Sequence, residues 1–282
     1  MNSFADKSTL INTPHSYTWT AVTSLLAVDI GNTNITIGAF EDQVITATWR
    51  LGTRETRTVD EHIWALQGVL RSKNVEPESF DAVVLCSVVP PLTEDYVKAL
   101  SSLINIEPLV IGPGVRTGIR IHYDRTQDVG ADRIVDAVAA HQIYGGPIIV
   151  VDIGTATVFD AITADGDYIG GAISPGLEIA ADAMFRNTSQ LRRVEMVAPD
   201  HVIGKSTVAS MQSGFVYGFA ALIEGMLTRF KSELNPSNPN EVTVVATGGL
   251  AKLMSEQTDY FDHINPELTL IGLRIVYEMN NN

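Results

Sequence analysis

One short stretch of sequence occurs twice. Leu25-Leu26-Ala27-Val28-Asp29-Ile30-Gly31-Asn32-Thr33-Asn34 is echoed by Ile148-Ile149-Val150-Val151-Asp152-Ile153-Gly154-Thr155-Ala156-Thr157. Each copy is an apolar run, then an Asp, then a Gly, then small hydroxyl or amide residues. Such a run suits a central strand buried on both faces. The Asp stands where the chain leaves the core, and the Gly lets the backbone turn and approach a ligand closely. Asn and Thr side chains, with backbone N–H groups, can hold phosphate oxygens, while the Asp orients a cation or a water. Two such loops facing each other would grip a nucleoside triphosphate from both sides. The repeat therefore predicts a phosphotransferase or ATPase of α/β class, built from two similar halves.

Composition narrows the possibilities. The 282 residues suffice for one large domain or two medium ones, and 45% apolar against 18% charged residues describes a folded globule. The net charge of −14 argues against nucleic acid or an anionic membrane surface as a partner. It also makes an anionic substrate awkward unless cations are recruited. The single cysteine, Cys86, excludes an internal disulfide framework, and a reducing cytoplasmic location is expected. Its setting, Ala82-Val83-Val84-Leu85-Cys86, reads as an inert buried strand. No segment has the roughly 18 apolar residues of a membrane span. Residues 1–23 lack the apolar centre of a signal peptide and read as an extension without a fixed fold.

After the first Asp-Gly loop, Ile35–Phe40 and Val44–Leu51 read as strands joined by a tight turn. Thr58 and Glu61 have capping-box spacing, opening a helix with Ile63, Leu66, Val69 and Leu70 on one face. A buried strand at Asp81–Cys86, a helix from Pro90-Pro91, a short strand at Pro108–Ile111 and a helix at Ala131–Tyr144 follow. From Pro147 the order starts again: strands to Asp152, at Thr157–Thr163 and at Tyr168–Ile173. Helices follow Pro175-Gly176 and Gly204-Lys205-Ser206-Thr207; then come strand Val242–Ala246, a helix after Thr247-Gly248-Gly249, and a last helix near Pro266–Met279. Each half reads β-β-β-α-β-α-β-α, a mixed sheet with helices on its faces. The expected units are 24–144 and 145–282, with the ligand in the cleft between them.

Several motifs admit two readings. Gly204-Lys205-Ser206 resembles the tail of a P-loop, but Pro199 stands where the first glycine is required. The segment is then either a plain N-cap or a helix start that binds an anion. Paired glycines at Gly248-Gly249 would let an adenine or a ribose lie against backbone, although strand-to-helix turns use glycine in any case. In Gly130-Ala131-Asp132-Arg133, Asp132 either complements a helix dipole or is a carboxylate aimed into the cleft beside an anion-binding Arg. The six histidines lack metal-ligand spacing, and His62 and His141 read as solvated or hydrogen-bonded helix residues. No serine sits in a nucleophile elbow. Trp49, Trp64 and Phe159 read as core residues.

Taken together, Asp29-Ile30-Gly31-Asn32-Thr33-Asn34, Gly130-Ala131-Asp132-Arg133 and Asp152-Ile153-Gly154-Thr155-Ala156-Thr157 resemble the three signature motifs of the type III pantothenate kinases. Ser87-Val88-Val89-Pro90-Pro91-Leu92, Gly170-Gly171-Ala172-Ile173-Ser174-Pro175-Gly176 and Ala246-Thr247-Gly248-Gly249-Leu250 follow in the family's order, and the resemblance runs from about Leu25 to the C-terminus. It implies two duplicated ribonuclease-H-like halves of the actin-like superfamily of acetate and sugar kinases. It implies transfer of the ATP γ-phosphoryl group to the 4′-hydroxyl of pantothenate, the first step toward coenzyme A, with Mg²⁺ and with potassium or ammonium. By position, Asp29, Ile30, Gly31, Asn32, Thr33, Asn34, Ile35 and Thr36 would form the first phosphate loop, and Thr155 would contact ATP. Gly130, Ala131, Asp132 and Arg133 would line the pantothenate site, Asp132 would be the proton acceptor, and Tyr123 and Thr207 would touch the substrate. Asp152 would hold the monovalent cation. The family is dimeric, which places Gly170–Gly176 near a two-fold interface.

One departure stands in the third motif, where Val158 replaces the family's usual Thr and removes a hydroxyl. The resemblance also leaves rivals: a non-catalytic relative acting as an accessory factor, or an actin-like kinase for another small hydroxylated substrate. As a helix-start residue, Asp132 is expected to be kept ionised by the dipole.

Overall fold

The first apolar run becomes β1 (Ser24–Ile30) in the computed structural model of the chain, which describes residues 24–189 and 191–281. The extension expected at 1–23 lies outside the described residues. β1 pairs antiparallel with β2 (Asn34–Glu41), which pairs antiparallel with β3 (Val44–Gly52). On its other side β1 runs parallel to β4 (Ala82–Ser87), and β4 runs parallel to β5 (Leu109–Val110). The order is β3-β2-β1-β4-β5.

The second half repeats the sheet. β6 (Ile148–Ile153) is flanked by β7 (Ala156–Ile162) and then β8 (Tyr168–Pro175), both antiparallel to their neighbours. On the other side lie β9 (Thr243–Thr247) and β10 (His263–Ile264), both parallel. The order β10-β9-β6-β7-β8 is that of the first sheet read from the opposite edge. The central strands β1, β4 and β6 carry unbroken buried runs, as parallel strands covered on both faces require.

Helices cover the faces. Thr58 caps α1 (Val59–Ser72) with the expected reciprocal capping box to Glu61. α1 and α2 (Pro90–Ile104) pack on the outer face of the first sheet, where Leu66, Leu70, Leu92 and Leu100 meet Leu26 and Val28. Between β8 and β9 come α4 (Leu177–Asn187) and α5 (Thr207–Leu234), and α5 covers the outer face of the second sheet through Val216, Ile223 and Leu227. α6 (Ala251–Ser255) follows β9. The third core joins the two halves. α3 (Ala131–Tyr144) and α7 (Leu268–Asn280) pack on each other, and their residues Val135, Val138, Leu273 and Val276 share a cluster with Ala27 of β1 and Val150 of β6. At their crossing an added Cβ on Gly272 would collide with the Val135 carbonyl, so glycine sets the approach of the two helices.

The structure departs from the expected order in the second half. Both helices expected between β8 and β9 are present, but the last strand, β10, is not among the expected elements: it has only two residues, both exposed, too few to carry a hydrophobic pattern. Two aromatic expectations are corrected. Trp64 is 79% exposed, whereas Trp49 and Phe159 are buried as expected. His62 is buried, and neither ring nitrogen has a hydrogen-bond partner among the described residues. One cause accounts for both: positions 62, 66 and 70 form the row of α1 that faces the protein, and Trp64 points away from it. His62 packs against Tyr96 of α2, ring centroids 4.5 Å apart. His141 is hydrogen-bonded as expected, through Nε2 and the Ala164 carbonyl at 3.2 Å. Among the described residues no helix is long and apolar enough to cross a membrane.

Candidate active site

β1 and β6 end at one cleft. At the end of β1, Asp29 lies in register with Thr36 of β2 and Cys86 of β4. At the end of β6, Asp152 lies in register with Val158 of β7 and Thr247 of β9. Thr36 and Val158 are therefore counterparts, and the hydroxyl missing at Val158 is one that the first loop retains at Thr36. Cys86 is buried as expected, and its thiol donates to Asp29 Oδ1 at 3.3 Å.

Each loop closes on itself, Gly31 N–H donating to the Asn34 carbonyl (3.0 Å) and Gly154 N–H to the Ala156 carbonyl (2.9 Å). Thr53, just beyond β3, fastens the first loop through its hydroxyl to the Gly31 carbonyl (2.7 Å) and its N–H to the Thr33 carbonyl (3.0 Å). The loops then meet: the Thr33 and Thr155 hydroxyls are 2.8 Å apart. They border a cleft of about 340 Å³. Gly248, with φ of +90°, closes the far wall; a side chain there would collide with Asp152 Oδ1, so the turn after β9 requires glycine.

The start of α3 faces the same cleft. Asp132 Oδ1 accepts the Arg133 N–H at 2.8 Å, and a side chain at Gly130 would collide with that oxygen. The N–H bond alone would favour the ionised carboxylate, as the dipole argument expects. Burial outweighs it and raises the pKa of Asp132 above the ordinary value, a correction to the expectation from the helix start. Burial and the neighbouring carboxylates push Asp29 and Asp152 up to about 7 each. One turn along α3, Asp136 is buried, with Oδ1 unpartnered. Its pKa is pushed well up by burial first and by Asp152 second, with a Thr269 hydrogen bond opposing.

Of the residues singled out from sequence, Asp29, Gly31, Asn32, Thr33, Asn34, Thr36, Asp132, Asp152 and Thr155 border this cleft. Ile30 and Ile35 are buried in the first core, so only their backbone is available to a ligand. Arg133 turns to Asp160, Nη2 at 2.6 Å and Nε at 3.0 Å, where Tyr168 also donates its hydroxyl at 2.7 Å. Tyr123 lies beside Arg133 and lines a second groove, of about 560 Å³, against Gly170 and Gly171 of β8. A side chain at Gly171 would crowd Arg133 Nη2. Gly130 and Ala131 begin α3 between these features. Thr207 borders neither; it is exposed at the first turn of α5, behind a true N-cap in which Ser206 accepts from Ala209 N–H at 3.2 Å.

Sequence reasoning missed Asp136, Arg50, Glu178 and Thr269, all on the cleft wall. The spacing of Asp132 and Asp136, four residues apart on one helix, was an available signal. The donor set toward the cleft is all oxygen, which suits a hard cation carried by one or two carboxylates together with phosphates and water. Among the described residues no three His, Cys, Asp or Glu side chains gather into a complete metal centre.

Comparison with known proteins agrees with this geometry. Residues 25–229 match the sequence model of a family described as type III pantothenate kinase. A protein of that name from Moorella thermoacetica is 47% identical over 256 residues, 91% of this chain and 99% of the relative. Another from a Roseiflexus species is 46% identical over the same shares. Among solved structures, a conserved Campylobacter jejuni protein described as of the Baf family of transcriptional activators superposes with a TM-score of 0.56 at 19% identity, covering 90% of this chain and 98% of that one. An inorganic polyphosphate/ATP-glucomannokinase from an Arthrobacter species gives 0.50 at 16% identity, over 91% and 99%. At those identities the structural likeness speaks to the fold alone, the two-halved fold of the actin-like and sugar kinases.

Proposed function

The chain belongs to the type III pantothenate kinase family, and from that premise we propose that the cleft between its two Asp-Gly loops is where the γ-phosphoryl group of ATP passes to the 4′-hydroxyl of pantothenate. The observation that carries this reading is the meeting of the loops at Thr33 and Thr155 over a cleft that the Asp132 carboxylate of α3 also borders. In it, the segment Asp29–Thr36 and Thr155 hold the phosphates. Gly130–Arg133 and Tyr123 hold pantothenate, Tyr123 lying beside Arg133 and lining the groove beside β8. The halves of the reading are 24–144 and 145–282, and its setting is the cytoplasm.

Asp132 accepts the proton of the 4′-hydroxyl as the oxygen bonds to the γ-phosphorus and the bond to the bridging oxygen breaks, releasing ADP. A carboxylate made more basic by burial suits that task. Asp152 contributes to a site for potassium or ammonium, and its neighbours Asp29 and Asp136 add oxygen donors without competing hydrogen bonds at Asp136 Oδ1. Mg²⁺ bound with ATP supplies charge neutralisation on the phosphates.

We further propose a homodimer. β8 is an edge strand exposing Ile169 and Ile173, and Ile179 of α4, Val202, Ile203 and, in α5, Val208 are exposed apolar side chains that a second copy would cover. Thr207 is exposed beside Val208 in sequence, and assembly is what would bring it to substrate.

The test is ADP release in the presence of ATP and, in turn, pantothenate, glucose, mannose and N-acetylglucosamine. Turnover with pantothenate alone is expected. A sugar that outpaces pantothenate, or no turnover with any of them, would overturn the proposal.

A further inference from the structure

Along β3, successive side chains take opposite faces: Trp49 enters the core and Arg50 points the other way. Arg50 stands in register with Thr36 of β2, and Thr36 with Asp29 of β1. Residues directly opposite on paired strands share a face. Arg50, Thr36 and Asp29 thus form a row across the first sheet, and that row opens into the cleft.

The charges lining the cleft are unequal. Five carboxylate side chains border it, Asp29, Asp132, Asp136, Asp152 and Glu178, and Arg50 is the single Lys or Arg among its lining residues. Arg50 forms no ion pair or side-chain hydrogen bond among the described residues, although its charge is felt at Asp29. Its guanidinium instead extends past Asp29 toward the opposite wall, Nη1 reaching 3.8 Å from where a side chain on Gly249 would begin. An Arg serving only to neutralise Asp29 would close an ion pair with it. This one leaves its donors free in the space between the two halves. A planar fork of N–H donors matches phosphate oxygens in pairs, which a point charge does not. The other cation beside the cleft, Arg133, is already committed to Asp160.

We propose that Arg50 clamps the phosphate chain of ATP, donating paired N–H bonds from the first half while the glycine turn of the second half leaves room for the nucleoside. The proposal rests on the reading that this cleft holds ATP. It makes Arg50 the chain's own positive charge in a site otherwise dependent on added cations.

Calorimetric titration of the full chain with Mg·ATP and Mg·ADP tests it, on wild type, Arg50→Ala, Arg50→Lys and Thr155→Val. Charge-assisted hydrogen bonds of this kind are worth about tenfold or more in affinity. Arg50→Ala is expected to weaken ATP and ADP by that factor and to leave KM for pantothenate and the melting temperature of the free protein unchanged. Arg50→Lys is expected to recover only part of the loss. Unchanged nucleotide affinity in Arg50→Ala while Thr155→Val weakens it would overturn the role of Arg50 and keep the cleft. Unchanged affinity in both would overturn the cleft reading itself. A lowered melting temperature of ligand-free Arg50→Ala would show a structural residue and overturn the proposal.

Discussion

Asp152 stands half-buried at the end of β6 with its carboxyl pushed up to about 7, by burial first and by Asp132 and Asp29 next. In the unfolded chain the same group titrates near the ordinary 3.8. Between those values the folded protein holds a proton that the unfolded chain has released, so stability is lost as pH rises through that window. Asn at this position carries no such burden. In the absence of ligands, the melting temperature of Asp152→Asn relative to wild type should climb between pH 5 and pH 7.5, and a constant or shrinking difference would contradict this. Wild type is expected to turn over faster in potassium or ammonium than in sodium, and the same variant to lose that increase. Asp29, Asp132 and Asp152 were legible in the sequence because each sits beside glycine, where a strand or helix meets a turn. Asp136 was less so, since it lies inside a helix with no glycine or turn near it, and only its spacing four residues after Asp132 pointed to the cleft. Arg50 was not, because nothing in its neighbours says that its face of β3 opens onto a cleft. Nor could the sequence show that burial at Asp132 overrides the helix start.

Among the elements, those with a local cause were legible, even the two-residue β5 expected at Pro108–Ile111, and β10 was not. The capping box at Thr58, the prolines opening α2 and the apolar runs of β1, β4 and β6 each have a local cause, and each appears where that cause predicts. β10 has two residues and is held by pairing with β9, a tertiary cause without a local signal. Trp64 and His62 exchange their expected places because the row of α1 that faces the protein is set by packing on α2 and the sheet, not by which side chain is more apolar. The crossing of α3 and α7 carries the sharpest prediction at this scale. Gly272 has no room for a side chain against the Val135 carbonyl. Gly272→Ala should force the helices apart and cost about 1 to 3 kcal/mol, the usual range for overpacking, in a urea denaturation experiment. Because α3 carries Asp132, activity should fall as well. Wild-type stability in this variant would mean that the helices can slide without loss.

For the molecule as a whole, the duplication read from two ten-residue segments is realised as two sheets of the same strand order, which fixes the cleft between their central strands. The surface around β8, α4 and Ile203 is what the sequence could not disclose, since exposed apolar residues look like core residues until the fold is known. If that surface joins two copies, light scattering should give about twice the 30.5 kDa chain mass, and Ile173→Glu should return it to the mass of one chain. A wild-type protein of single-chain mass at micromolar concentration would contradict the assembly. The central claim is that Asp132 takes the proton of the pantothenate hydroxyl in this cleft. Its most direct test is steady-state turnover of ATP and pantothenate by Asp132→Asn, which keeps the size of the side chain and removes its basicity. A fall in kcat of about a hundredfold to ten-thousandfold is expected, with ATP affinity and melting temperature preserved. Turnover within a few-fold of wild type would contradict it and leave Asp132 as a residue that only begins a helix.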